Sequence, residues 1–336
     1  MAARLALGLV GVGRIGVLHA RTLLALEGVS LTVADADSDR ARKVAAELGI
    51  LTAETPEALV AAGLDGLVIA TATAGHAALV RLATEAAVPV FCEKPVALDL
   101  PTLDCLIAAA DAAGIVVQVG FQRRFDAGYR AARDAVAGGD VGRTLLMRAA
   151  THDPAPPPRE YLASSGGIFR DLHIHDFDAI RFVSGDEVTE VYATGAALET
   201  PWLAEQDDVD VAAAVLRLGS GALVILSGTR HDPLGYDVRL EVFGTRDSIV
   251  AGQGERSPLR SVEPGARPPA GPAYRDFWDR FEPAYRQELA AFVETVRSGG
   301  PSPCPLGEAR SALAVALAAD RSRAESLPVS IDEVLD

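Results

Sequence analysis

The sequence predicts an α/β chain: a doubly wound parallel sheet, followed by an α+β unit with an open-faced, mostly antiparallel sheet. Three observations carry this reading. Six short Val/Ile/Leu-rich runs alternate with helical stretches between residues 4 and 120. The first of them leads straight into a glycine-rich turn, Gly11 to Gly16. After about residue 122 the alternation stops and long strand-like segments follow one another. The chain has 336 residues, enough for two domains at roughly 100–200 residues each. The expected division is 1–121 and 122–336.

In the first half the candidate strands are Leu5–Val10, Leu31–Ala34, Ile50–Ala53, Gly66–Ala70, Val88–Cys92 and Ile115–Gly120. They are apolar on successive residues, as strands buried on both faces are. Helical stretches fall near 14–27, 38–48, 56–62, 75–86 and 99–113. Thr55-Pro56 reads as an N-cap with proline at the first helical position. Strand and helix in strict alternation give a parallel sheet. In the second half a helix near 125–137 precedes a strand at Thr144–Thr151, a proline-rich loop at 153–158 and a helix near 167–183. Three strands follow, Asp208–Leu218, Ala222–Arg230 and Asp237–Gly244, the first two joined by the hairpin signal Gly219-Ser220-Gly221. Residues 252–273 are rich in Gly, Pro and Arg and read as an exposed loop. Helices near 281–298 and 306–325 complete the pattern.

Composition narrows the functions available. Apolar residues make up 49% and charged residues 23%, the balance of a chain that folds around a sizeable core. The formal charge is -15, with 46 acidic against 31 basic side chains. A duplex binder needs a basic face to displace phosphate counterions, and anionic membrane surfaces make the same demand, so neither is an expected partner. The three cysteines, Cys92, Cys105 and Cys304, are scattered. They form no C-x-x-C pair, so neither a disulfide framework nor a structural zinc site is expected. The apolar start is cut by glycines and followed by Arg14, which is poor for a signal peptide. No segment reaches about 18 apolar residues in a row, so a cytoplasmic protein is expected. No G-x-x-x-x-G-K-[ST] loop and no G-x-S-x-G elbow is present, which leaves P-loop and serine-hydrolase chemistry unsupported.

The turn Gly11-Val12-Gly13-Arg14-Ile15-Gly16 is a G-x-G-x-x-G string that follows a strand and opens a helix, the context that gives it meaning. Gly11 permits the tight turn, Gly13 lets backbone approach a pyrophosphate, and Gly16 lets helix and strand pack closely. Free N–H groups at the helix start would receive the phosphates. This is the dinucleotide-binding corner of a Rossmann fold. Asp35 ends the second strand, 19 residues after Gly16. A carboxylate there accepts the adenosine ribose hydroxyls and repels a 2′-phosphate, so NAD is expected over NADP. No arginine follows until Arg40, so nothing obvious would welcome that phosphate. Thr71, Thr73 and His76 follow the fourth strand, at the carboxyl edge where ligands bind in open α/β sheets.

The fifth strand ends in Cys92-Glu93-Lys94-Pro95. Only Lys43 and Lys94 are lysines among the 31 basic residues. In so arginine-rich a chain, a lysine at a strand's carboxyl end, beside the expected nicotinamide position, suggests that a compact ammonium is needed. The second cluster is the run from Gly166 to Asp178, GGIFRDLHIHDFD. On one continuous helix, Asp171, His175 and Asp178 stand at i, i+4 and i+7 and share a face, while His173 points elsewhere. Asp171 and His175 then form a base with its orienting carboxylate, since a neutral imidazole accepts a proton near pH 7. A metal is not expected there, because His173 and His175 cannot both reach one ion from a regular helix.

These motifs together resemble the Gfo/Idh/MocA oxidoreductases over nearly the whole chain: the glycine string, the Glu93-Lys94-Pro95 turn, the stretch Gly120-Phe121-Gln122-Arg123-Arg124-Phe125-Asp126, and the 166–178 segment. Within that family the likeness is strongest to inositol 2-dehydrogenases, through the 120–126 stretch, the HDPAPPP loop at 152–158 and the IHDFD segment. The resemblance implies bound NAD, with Glu93 and Lys94 added to the cofactor contacts. It implies a catalytic trio of Lys94, Asp171 and His175. It also implies a polyol or sugar pocket that takes in Gln122, Arg123 and Asp153, with Tyr236 of Gly235-Tyr236-Asp237 closing it. A homo-oligomer, tetramer or dimer, packed through the sheets is implied as well. The alternatives are another sugar or aldose dehydrogenase with the same trio, and a non-catalytic NAD-binding regulator, which would be expected to lose the lysine or the histidine.

Overall fold

The computed structural model describes residues 4–162, 165–266 and 271–335. Its contacts divide the chain into two units. Residues 1–122 with 285–310 form the first, and residues 123–284 with 311–336 the second.

The first unit alternates strand and helix as the sequence predicts. Its elements are β1 Leu5–Val10, α1 Arg14–Leu24, β2 Val29–Ala34, α2 Ser38–Leu48, β3 Leu51–Thr52, α3 Pro56–Ala61, β4 Gly66–Ile69, α4 His76–Glu85, β5 Val90–Glu93, α5 Leu100–Ala113 and β6 Val117–Gly120. The strands form one parallel sheet in the order β3-β2-β1-β4-β5-β6, the doubly wound arrangement. Local chemistry sets the helix ends. Thr55 caps α3 by accepting the Ala58 N–H, with Pro56 just inside, and Asp37 caps α2. Gly49 and Gly114, both left-handed, end α2 and α5. Leu7, Leu9, Val33, Val68 and Phe91 build the core. The division expected at residue 122 assigned everything beyond it to the second unit. Residues 285–310 belong instead to the first, because Leu289, Phe292 and Val293 complete this same core.

The second unit contains α6 Ala127–Ala137, β7 Thr144–His152, α7 Arg159–Leu162, α8 Ile168–Asp171, α9 Ile174–Ser184, β8 Val188–Ala196, β9 Val211–Leu218, β10 Leu223–Thr229, β11 Asp237–Gly244 and β12 Ser248–Ala251. The helix α10 Phe277–Ser298 begins in it, and α11 Leu306–Glu325 leads back to it, followed by β13 Val329–Ser330 and α12 Asp332–Leu335. The seven strands are ordered β12-β11-β7-β10-β9-β8-β13. Every pairing is antiparallel except β10 with β7. Burial alternates along the strands, as a sheet covered on one face demands: β9 buries Ala212, Ala214, Leu216 and Leu218 and exposes the residues between them. The covered face packs on α9. The other face carries an in-register row of Arg148, Ile225, Val215 and Tyr192 across four strands. Its three apolar members are each more than 40% exposed. Of the 252–273 loop, residues 252–266 and 271–273 hold no helix or strand, and 267–270 lie outside the described residues.

The helix expected over 167–183 is broken. α8 stops at Asp171, the chain turns at Leu172 and His173, and α9 starts at Ile174. At the break the Leu172 and His173 N–H groups both donate to the Ile168 carbonyl. No glycine or proline causes it. The His173 ring is fully buried and bonded to Asp176 at 2.8 Å. It lies so close over Gly228 that a Cβ there would stand 2.2 Å from it.

Candidate active site

In the first unit the glycine string behaves as its spacing demands. Gly11 has φ +93°, and a Cβ on it would meet the Ala70 carbonyl oxygen at 2.6 Å. A Cβ on Gly16 would stand 1.9 Å from the Gly11 oxygen. Gly13, the N-cap of α1, has nothing within 4 Å of its missing Cβ. No side chain caps α1, and its first turn holds no acid. Open space at a helix start that no side chain caps suits a dinucleotide pyrophosphate.

Asp35 is nearly buried and accepts the N–H groups of Val12 and Asp37, both at 2.8 Å. Sequence reasoning placed no arginine at its side. The structure corrects this: one turn into α2, Arg40 reaches back and donates to Asp35 at 2.7 Å. Burial raises the Asp35 pKa, but Arg40 and the two backbone N–H groups outweigh it and hold the carboxyl below its ordinary value.

Thr71 and Thr73 are half-exposed at the carboxyl edge of the sheet, after β4. His76 is not open to a ligand in the same way. It is 1% exposed, and its ring nitrogens face the carbonyl oxygens of Pro95 at 2.8 Å and Thr71 at 3.0 Å. It ties the turn after β4 to the turn after β5, a positioning role. Burial pushes its pKa down, against those two carbonyls.

Lys94 follows β5 and is half-buried, and Glu93, 8% exposed, folds back so that its carboxylate accepts the Lys94 N–H at 3.3 Å. Gln122 closes this unit, 2% exposed.

In the second unit, Asp171 ends α8 and His175 lies in the first turn of α9. The helical break removes the i, i+4 argument for pairing them. Asp178 is also excluded from that face: it is fully buried and grips Arg124 through both oxygens. Two residues that the sequence reading missed hold Asp171. Tyr161 donates its hydroxyl at 2.7 Å, and the fully buried Arg230 donates at 3.3 Å. Arg230 follows a strand and precedes His231; its only sequence signal was its place before the Gly235-Tyr236-Asp237 motif.

Arg123, expected to meet substrate, is 1% exposed and spent elsewhere. Its guanidinium donates to Asp176 and to Thr151, and Asp176 also bonds His173. Burial raises the Asp176 pKa, but Arg123 and then His173 overturn this and hold it down at about 2. The network fixes α9 to β7. Asp153 sits just past β7, where its N–H donates to the Thr229 carbonyl at 2.8 Å. Tyr236 is 6% exposed and packs edge-on to Phe281. Burial pushes its phenol up.

Residues 5–121 match the model of an oxidoreductase family with an NAD-binding Rossmann fold, and residues 129–250 match the GFO/IDH/MocA C-terminal domain. The chain belongs to the GFO/IDH/MocA family. It is 42% identical to a myo-inositol dehydrogenase of Streptomyces leeuwenhoekii, with 96% of this chain and 98% of the relative covered. It is 36% identical to the myo-inositol 2-dehydrogenase of Thermotoga maritima, over 98% and 99%. A scyllo-inositol dehydrogenase from Lactobacillus casei, solved with NAD(H) and scyllo-inositol, shares the fold at TM-score 0.89 and 27% identity, over 98% of this chain and 99% of that one. The chain is therefore an oxidoreductase, and its first unit is an NAD-binding Rossmann domain.

Proposed function

We propose that the protein oxidises a ring hydroxyl of a cyclic polyol, inositol above all, with NAD as the acceptor. The observation that carries this reading is full-length similarity to inositol dehydrogenases in a chain that keeps Lys94, Asp171 and His175.

The nicotinamide supplies hydride acceptance; everything else falls to the protein. The N–H groups at the start of α1, from Gly13, Arg14 and Ile15, receive the pyrophosphate, and Asp35 receives the adenosine ribose. Thr71, Thr73, Glu93 and Lys94 line the rest of the cofactor's path. His175 takes the proton of the substrate hydroxyl. Asp171, itself fixed by Tyr161 and Arg230, orients the imidazole and stabilises the positive charge it acquires. Lys94 steadies the alkoxide oxygen as negative charge develops. Gln122, Asp153 and Tyr236 contribute polar or ring contacts to the polyol. The exposed row Ile225, Val215 and Tyr192 supports a homo-oligomer formed through the open sheet face. Three scattered cysteines, two of them buried, suit the cytoplasm. Among the described residues no helix is long and apolar enough to cross a membrane.

The test is NADH formation with each inositol isomer and with a panel of aldoses. Turnover of myo- or scyllo-inositol above every aldose is expected. A preference for an aldose moves the protein to sugar oxidation, and no turnover of any of them overturns the reading.

A further inference from the structure

A cluster of ionisable side chains lies buried in the first unit, and of its members only Glu93 has a role above. His19 comes from α1, Glu93 ends β5, and Glu288 comes from α10. One nitrogen or oxygen of each lies within 4.8 Å of the others. His19 Nε2 and Glu93 Oε1 are 2.6 Å apart, and the other Glu93 oxygen accepts the Lys94 N–H. Glu288 is fully buried, and neither of its carboxyl oxygens has a hydrogen-bond partner among the described residues. Gly120, the neighbour of Glu93 in β6, makes room for the cluster: a Cβ there would stand 3.2 Å from the Glu93 carboxylate.

A buried carboxyl without partners lowers stability, so its presence needs a reason. Two carboxyls this close and this deep do not both ionise. Burial, and then the charge of Glu93, push the Glu288 pKa well up, so Glu288 is the one that keeps its proton. Glu93 is bonded to the imidazole of the helix that opens at the glycine string, and it anchors the backbone of Lys94.

We propose that Glu288 is a positioning residue, acting through Glu93 on Lys94, and that the His19–Glu93–Glu288 cluster ties the cofactor-binding helix to the lysine. The proposal rests on the reading of Lys94 as the group that steadies the alkoxide.

The experiment compares Glu288→Gln, Glu288→Leu and Gly120→Ala with wild type and Lys94→Ala, using myo-inositol and NAD. Thermal melting is read alongside. Glutamine keeps the shape and neutrality of a protonated carboxyl, so Glu288→Gln should hold kcat within about threefold. Leucine leaves Glu93 without its polar neighbour. At a misplacement approaching 1 Å, kcat falls by about 10–100-fold, while KM for NAD stays within about threefold. Its melting temperature should be unchanged or higher, since an unsatisfied buried carboxyl is gone. Gly120→Ala crowds Glu93 from the opposite side and should lower kcat likewise, so it tests the idea even where the leucine variant fails to fold.

Full turnover by a folded Glu288→Leu, with Lys94→Ala inactive, overturns this proposal alone. Full turnover by Lys94→Ala overturns the reading of Lys94 beneath it. A Glu288→Gln as damaged as Glu288→Leu, or one equivalent of a divalent metal in the purified enzyme, also overturns it, because either means that Glu288 works as a carboxylate.

Discussion

The two units handle polar groups in opposite ways. In the Rossmann unit the features of the glycine string are backbone: a start of α1 that no side chain caps, a Gly11 at φ +93°, and a Gly13 with nothing within 4 Å of its missing Cβ. Its sheet core is apolar, and it buries the ionisable cluster of His19, Glu93 and Glu288. In the second unit, α8 and α9 are fastened to their surroundings by charge. Arg123 meets Asp176, Arg124 meets Asp178, and Arg230 meets Asp171, every one of them less than a tenth exposed. The difference teaches where each kind of precision comes from. A phosphate cradle needs no side chains and so tolerates an oily core. A base on a short, interrupted helix must be held by directional bonds, and paired ions supply direction that Leu and Val cannot.

The largest expected effect strikes the held base. His175→Ala should lower polyol oxidation at pH 7 by about 10²–10⁴-fold, read as kcat in the NADH assay with NAD affinity nearly unchanged. Asp171→Asn should fold and still impair turnover, since an amide stabilises an imidazolium poorly. If both variants keep wild-type kcat, the second unit's ionic framework serves the fold alone and the contrast drawn here breaks.

The next effect is on stability. Asp176→Asn leaves Arg123 buried without its counter-charge, a loss of about 3–5 kcal/mol, measured by chemical denaturation of the second unit. pH gives an independent check. Asp176 titrates at about 2 in the folded chain against an ordinary 3.8. A depressed carboxyl stabilises the fold above pH ~4, and that contribution, about 2–3 kcal/mol, is lost as pH falls from there towards 2. The asparagine variant should show a correspondingly flatter acid limb. An unaltered limb would mean that the Arg123–Asp176 pair is no keystone.

How much of this was legible in the sequence follows the same division. The glycine string, the cap at Thr55 and the six parallel strands are local, set by residues within a few positions of one another, and periodicity finds them. The pairing of Arg123 with Asp176 spans 53 residues, and that of Arg230 with Asp171 spans 59; no local pattern encodes either. Reading Arg123 as a substrate contact and 167–183 as one helix failed for a common reason. The break at Leu172–His173 is dictated by a ring seated over Gly228 and bonded to Asp176, contacts that exist only once the sheet has formed. The strands β8, β12 and β13 were also missed: β8 carries Thr and Glu on its open face, β12 has four residues and β13 two.

Lys94 tests the first unit in turn. Lys94→Ala should lower kcat by about 10²–10³-fold. NAD affinity, followed by nucleotide fluorescence, should change far less, because the pyrophosphate is proposed to rest at the start of α1, away from Lys94. A large loss of NAD affinity with kcat preserved would make Lys94 a cofactor clamp and remove it from the alkoxide.

The smallest effect sharpens the comparison most, because Asp35 and Arg40 bring a side-chain ion pair into the unit otherwise governed by backbone. Asp35 is proposed to receive the adenosine ribose, and a 2′-phosphate there would meet repulsion. Arg40 stands 2.7 Å away, with its side chain 48% exposed. It offsets part of that charge and offers a donor to the very phosphate Asp35 repels. Two opposite shifts follow from one geometry. Asp35→Ala removes the repulsion and frees Arg40, so the ratio of kcat/KM for NAD over NADP should fall, by about tenfold or more for the loss of one charged contact. Arg40→Ala leaves Asp35 bare, so the same ratio should rise, by a smaller factor because the pair is open to solvent and screened. The fold should be indifferent to Arg40→Ala, since the Val12 and Asp37 N–H groups still hold the carboxylate. A ratio that falls in Arg40→Ala would show that the arginine serves the NAD ribose and not the phosphate.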